Sequence, residues 1–193
     1  MTPTVTGLRE RKRGRVAVEL DGRPWRVLPT DAVVRVGLAV GRPLDRHAAR
    51  DLAREVRRAR ALAGATRTLA TSGRSRGELE QRLVRAGHAR DARKEALATL
   101  DRAGLVDDLR LAQARADVMA HRGYGDAAIR ADLRKRLIPA ETVVEALSTL
   151  EPEVDRAQRH LGGAAPTAKT IRRLAGRGFS RETLDEIGSP FAQ

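Results

Sequence analysis

Up to Leu28 the apolar positions read as strands, alternating with polar ones; from Asp45 onward they recur every three or four residues, and the alternation does not return. "RVAVEL" (15–20) puts Val16, Val18 and Leu20 on one face of a strand. "DG" (21–22) then supplies the positive-φ positions of a tight hairpin turn before "RPWRVL". An earlier strand, "TVTGLRE", joins through "RKRG" to make a three-stranded sheet with a cationic turn. Trp25, beside Val16, Val18 and Val27, is expected in the core of this small sheet rather than free to stack on a base. Asp31 is read as the N-cap of a short helix that stops at Gly37.

Asp45 has the chemistry of a second N-cap, opening a helix through about Ala63. Ala48, Leu52, Val56, Ala59 and Leu62 form its apolar stripe, and Arg50, Arg54, Arg57, Arg58 and Arg60 its exposed basic face. Beyond it a repeat emerges. "SRGELEQRLVRAGH" (75–88), "GDAAIRADLRKRLI" (125–138) and "TAKTIRRLAGRGF" (167–179) each read as a basic amphipathic helix, a short break and an apolar residue. Leu83, Leu133 and Leu174 align, 50 and 41 residues apart. A helix precedes each motif (Leu62 to Thr71, Leu109 to His121, Glu153 to Leu161) and another follows it (Ala92 to Ala103, Glu141 to Leu150, Arg181 to Ile187).

The expected fold is therefore mainly α: three tandem three-helix repeats forming an elongated, curved domain, preceded by a small β-rich N-terminal extension. The boundaries read as 1–44 for the extension, 45–63 for a basic connecting helix, then 64–106, 107–152 and a shortened 153–193 for the repeats. With 2% aromatic residues the core must be built of Leu, Val, Ile and Ala, which suits thin helical layers. Each unit alone buries little apolar surface and depends on its neighbours.

Charge narrows the partner. The formal net charge is +13, with 24 Arg or Lys against 12 Asp or Glu in residues 1–104 and 14 against 13 thereafter. This favours a polyanion or an acidic protein groove as partner. There is no cysteine, hence no disulfide or thiolate chemistry. The four histidines, His47, His88, His121 and His160, are scattered, with no HExxH and no Ser/His/Asp grouping. "HLGGAAPT" matches neither a phosphate loop nor a dinucleotide fingerprint and reads as a connection between two helices. Asp107 and Asp108 read as N-cap and helix-dipole residues rather than as paired catalytic carboxylates. No catalytic residue, metal ligand set or cofactor site is expected. Nor is a membrane span or signal peptide, so a cytoplasmic monomer is the expectation.

What remains is the basic helices. In the helix read from Asp126 to Leu137, Ile129, Leu133 and Leu137 face the core, Arg130 and Arg134 flank that stripe, and Lys135 points away. The face is either an ordinary solvated surface, partly neutralised by Asp126 and Asp132, or a contact surface. The second is preferred because Arg122 and Tyr124 extend the same end. By the same logic Arg82 and Arg85 are candidates in the first repeat, and Arg172, Arg173 and Arg177 in the third. Arg11, Lys12 and Arg13 form a basic turn that is either a solvated loop or a further contact.

"RSRGELEQRLVRAG" followed by "LATLDRAGLVDDLRLAQARADVMAHRGYGDAAIRADLRKRLI" resembles the RecX family, modulators of the RecA recombinase. The marks are the Arg-Ser-Arg-x-Glu-Leu helix start, Gly104 to Asp108, and Arg122-Gly123-Tyr124-Gly125, in that order and spacing. The resemblance implies a non-enzymatic protein that lies along the groove of a RecA–DNA filament and limits its extension, ATP hydrolysis and strand exchange. The partners it implies are RecA and the RecA–DNA filament, with direct DNA contact in addition. The alternative reading of the basic helix pairs, apart from the resemblance, is a general DNA-binding protein on duplex or single-stranded DNA. The sequence departs from the family pattern at Leu137, where a glycine commonly stands, and at Leu111 and Gln113, where Phe and Arg are frequent.

Overall fold

In the structure, a computed structural model, residues 2–163 and 165–188 are described. Three strands come first: β1 (Val5–Arg11), β2 (Arg15–Leu20) and β3 (Arg23–Pro29), an antiparallel sheet in that order. Asp21 and Gly22 take the left-handed region (φ 47° and 74°), as a two-residue hairpin between right-twisted strands requires. Then follow α1 (Thr30–Val36), α2 (Arg46–Leu69), α3 (Arg76–Arg85), α4 (Arg90–Arg102), α5 (Asp108–His121), α6 (Asp126–Lys135), α7 (Ala140–Ser148), α8 (Glu153–Leu161), α9 (Ala168–Gly176) and α10 (Arg181–Gly188).

The chain forms two compact units: residues 2–72 with 79–105, and residues 73–78 with 106–188. In the first, Val5, Val16, Val18 and Leu28 of the sheet pack with Ala32 and Val33 of α1 and with Ala48, Leu52, Val56 and Ala59 of α2. Trp25 is not in this core; it is 38% exposed. Val16 pairs with Leu28 and Ala17 with Val27, so Val27 falls out of step with the inward Val16 and Val18; Trp25 is the extra residue at the register shift between Val18 and Glu19 and stands at the margin of the core. Asp45 caps α2, its Oδ1 accepting from Ala48 N at 2.8 Å. Asp31 does not cap α1. Pro29 holds that position, and Asp31, in the first turn, instead accepts from Arg35 and Arg58. Arg58, expected on the solvated face, is thus buried, donating also to Glu55 Oε2 at 2.9 Å.

The separate helix expected over Leu62 to Thr71 is continuous with α2. One interior glycine, Gly64, costs about 1 kcal/mol relative to alanine. Burial of Ala61 and Ala65 on the helix that packs against α4 outweighs it.

Among the described residues of the second unit, two apolar clusters stand out. One joins Ala112, Ala116 and Met119 of α5, Ile129 and Leu133 of α6, and Val143, Ala146 and Leu147 of α7. The other joins Ala157, Leu174, Phe179 and Ile187. The aligned Leu83, Leu133 and Leu174 are all buried. The starts and ends of α5, α7, α8 and α10 lie within two residues of those expected from the periodicity.

Leu137 is a correction. α6 ends at Lys135, and Leu137 turns left-handed (φ 58°) and is 43% exposed, leaving Ile138 to be buried. The amide of Ile138 then reaches back to Leu133 O at 3.3 Å, a Schellman-type end. The same five-residue reach closes α3, α4, α5 and α9, where the left-handed residue is Gly87, Gly104, Gly123 and Gly178.

Within the second unit, the start of each middle helix is held by its neighbours in the same way twice. Ser75 and Glu78 form a capping box: Glu78 N donates to Ser75 Oγ (3.0 Å) and Ser75 N to Glu78 Oε2 (3.1 Å). Ser75 Oγ also donates to Arg136 O, and Asp108 Oδ1 accepts from Arg76 N at 2.8 Å. One repeat on, Gly125 N donates to Arg177 O (3.0 Å), and Glu153 Oε1 accepts from Asp126 N (2.6 Å). The first residue of α5 or α8 thereby satisfies an orphan amide at the start of α3 or α6.

Candidate functional site

α6 carries the most concentrated set of candidates. Its acids do not neutralise the outward cations. Asp132 accepts a bidentate pair from Arg115 (2.9 and 3.0 Å) and a further bond from Arg136 (3.2 Å). Those guanidinium bonds, Arg115 first, outweigh burial and hold its carboxyl below the usual carboxylate range. Asp126 pairs with buried Arg156. Arg134 and Lys135 are left exposed, and Arg130 half-buried, along the edge of the Ile129 and Leu133 seam.

At the other end of α6, Arg122 and Tyr124 are exposed, but Arg177 has a structural task. Its Nη1 donates to Arg122 O (2.9 Å) and lies 3.2 Å from His160 Nε2, while its guanidinium sits 5.8 Å from the Tyr124 ring centroid. Burial, then Arg177 and Arg173, push the His160 imidazolium pKa down. His160 is thus neutral near pH 7 with Nε2 free to accept. Arg177 fastens the corner between α5 and α6 and fixes Tyr124 above it.

The remaining candidates sit where a partner has access. Arg172 and Arg173 are exposed on α9. In the first unit, Arg11, Lys12 and Arg13 are exposed around the β1–β2 turn, with Arg13 left-handed at φ 65°. Arg82 and Arg85 are exposed on α3, Arg85 donating to Gln81 Oε1 at 2.7 Å.

Two residues that organise this surface carry no local sequence signal. Arg156 is 5% exposed and donates to Asp126, to Glu151 O (2.9 Å) and to Tyr124 O (3.2 Å). Glu153 accepts from Asp126 N, Ser180 N (3.1 Å) and Thr183 Oγ1 (2.9 Å). Burial by itself would raise the Glu153 pKa; the donors from Ser180, Asp126 and Thr183 outweigh it, so the carboxyl is held low. Only the pairing across 30 or so residues makes either role visible. Among the described residues no group of three or more His, Asp or Glu side chains is placed to hold a metal. No helix there is long and apolar enough to cross a membrane.

The family model of the second three-helix domain of RecX matches residues 107–147, the α5–α7 segment with its basic α6. Regulatory protein RecX of Chlorobaculum tepidum is 35% identical over 141 residues, covering 68% of this chain and 88% of that one. This chain belongs to the RecX family. Regulatory protein RecX of Stenotrophomonas maltophilia is 32% identical over 120 residues, covering 57% of this chain and 74% of that protein. In fold, the crystal structure of a regulatory protein RecX superposes with a TM-score of 0.80 over 96% of this chain and 98% of its own, at 20% identity. That superposition includes most of the β-rich extension, so the sheet is part of a RecX architecture and not an addition peculiar to this chain.

Proposed function

We propose that this protein regulates the RecA recombinase by binding RecA and the RecA–DNA filament, limiting filament extension, ATP hydrolysis and strand exchange. Family membership carries the reading, because relatives over most of this chain bear the name regulatory protein RecX. The geometry supports it at one place. The segment that matches the family model presents exposed Arg122, Arg134 and Lys135, with both α6 acids turned to Arg115, Arg136 and Arg156. Such a face suits an acidic protein groove. The protein acts by binding, without turnover, as a cytoplasmic monomer, with each three-helix repeat meeting the filament through its middle helix.

The test is a titration into RecA, single-stranded DNA and ATP. ATP hydrolysis should fall as this protein approaches RecA in amount, and association with RecA from a lysate should survive nuclease. Undiminished hydrolysis at excess protein, together with association that nuclease abolishes, would leave a DNA-binding protein and no RecA regulator.

A further inference from the structure

The basic charge is concentrated away from α6. The first unit holds 22 Arg or Lys against 11 Asp or Glu, the second 16 against 14. On α2 the acids are engaged on one side: Asp51 pairs with Arg54, and Glu55 with Arg58. The other arginines line up. At about 100° per residue, positions 46, 50, 53, 57, 60, 64 and 67 fall within an arc of about 100°, along about 32 Å of helix. Five of the seven, Arg46, Arg50, Arg57, Arg60 and Arg67, are arginines, all exposed, and none makes an ion pair among the described residues.

The two gaps in this stripe, Ala53 and Gly64, each open onto a hollow. The first, about 290 Å³, is walled by Trp25, Leu28, Leu52 and Val56 and edged by Arg26, Arg57 and Arg60. The second, about 340 Å³, has Arg67 and Arg82 at its edge with Leu79 and His88. Trp25 is the chain's single tryptophan, and Arg26 lies over its ring at 5.3 Å from the centroid. An exposed indole steadied by a guanidinium, beside a line of unpaired cations, is how proteins hold an unstacked base and its backbone. A base inside a duplex has no free face to offer such a ring, and an acidic peptide has no need of one.

We infer that the α2 stripe and the Trp25 hollow are a binding site for single-stranded nucleic acid, with a base stacked at Trp25 and phosphates along Arg57, Arg60 and the rest of the line. This site does not depend on the RecA reading and is tested without RecA.

Because Trp25 is the only tryptophan, its emission reports the site directly. Titration of the full chain with a thymidine oligomer of about 15 nucleotides should give saturable quenching, weaker with a blunt duplex of equal length. Trp25→Ala should weaken single-strand binding roughly 5- to 150-fold, read by anisotropy of a labelled oligomer, with Trp25→Phe restoring most of it. Arg57→Ala with Arg60→Ala, both exposed and unpaired, should flatten the slope of log affinity against log salt by roughly 0.7 for each phosphate no longer neutralised. Unchanged emission on adding the oligomer would overturn the proposal. So would equal quenching by duplex or by poly-glutamate, which would assign the stripe to duplex or to an acidic protein. If Trp25→Ala does not fold, the Phe and double-arginine variants decide, and full affinity with an unchanged salt slope in the double-arginine variant sinks it.

Discussion

Gly77 faces Leu137 so closely that a Cβ added at Gly77 would lie 2.6 Å from the Leu137 Cβ and equally near its carbonyl oxygen. At the corresponding contact one repeat on, the sides are exchanged: Gly178 takes the left-handed turn, and a Cβ there would lie 2.7 Å from the Cβ of Ala128. In each contact one of two facing residues lacks a side chain. A left-handed leucine at 137 is therefore accommodated by a glycine at the first turn of α3 rather than by Leu137 itself.

Gly77→Ala should accordingly destabilise the protein. Overpacking costs about 1 to 3 kcal/mol, offset in part by the better helix propensity of alanine, about 1 kcal/mol. Leu137→Gly removes a left-handed β-carbon worth roughly 1 to 2 kcal/mol. In that background the cost of Gly77→Ala should shrink without vanishing, because the carbonyl contact persists. Urea unfolding of the two single variants and the double variant measures the coupling, and strict additivity would show that the two residues do not sense one another.

Acid should weaken the second unit through Glu153. Its folded pKa lies below the ordinary 4.5, so the stability it contributes is complete above about that pH and is lost as pH falls through the lower folded value. Unfolding midpoints collected from neutral pH downward should decline in that window. Glu153→Gln should lower stability at neutral pH and flatten the decline, since no proton is then taken up at this site. A profile unchanged by the substitution would remove Glu153 from the account.

What was legible in the sequence was local. The Asp21–Gly22 turn, the caps at Asp45 and Asp107, and helices α5, α7, α8 and α10 depend on residues a few positions apart, and the structure has them where the pattern put them. The misreadings are of two kinds. Arg58 is drawn inside by Asp31, 27 residues away, and Trp25 stands at a register shift in the pairing of β3 with β2, neither of which helical or strand spacing shows; Leu137 leaves the seam and Asp31 loses the cap position through local turns that periodicity alone does not place. The candidate surface divides in the same way. Charge and helical spacing point to Arg134 and Lys135, but that Arg177 is held by the carbonyl of Arg122, 55 residues away, has no trace in either.

Arg156 offers a sharper test of that non-local framework. Replacing it by methionine leaves the Asp126 carboxylate and two carbonyls without their donor, and breaking a buried pair in this way costs about 3 to 5 kcal/mol. Asp126 is 32% exposed, so solvent screening puts the expected loss at the lower end, about 3 kcal/mol. Adding Asp126→Ala should recover part of it by removing the stranded charge. A melting temperature untouched by Arg156→Met would mean that the residue is not buried as described.

The α6 cations should separate binding to RecA from binding to DNA. Arg130, Arg134 and Lys135 lie beside the seam formed by Ile129 and Leu133, so replacing all three by alanine should leave the circular dichroism spectrum unchanged. The unit that carries them holds 16 Arg or Lys against 14 Asp or Glu, too little excess for a primary phosphate-binding surface. Affinity for bare DNA, and its slope against log salt, should therefore hardly change. Inhibition of RecA ATP hydrolysis should weaken instead, because removing each exposed cation reduces complementarity to an acidic groove and slows association at low salt. If inhibition persists at wild-type strength while the fold is intact, α6 is a solvated face and the regulatory contact lies elsewhere. If the salt slope falls by roughly 0.7 to 0.9 per cation removed, the helix reads phosphates after all.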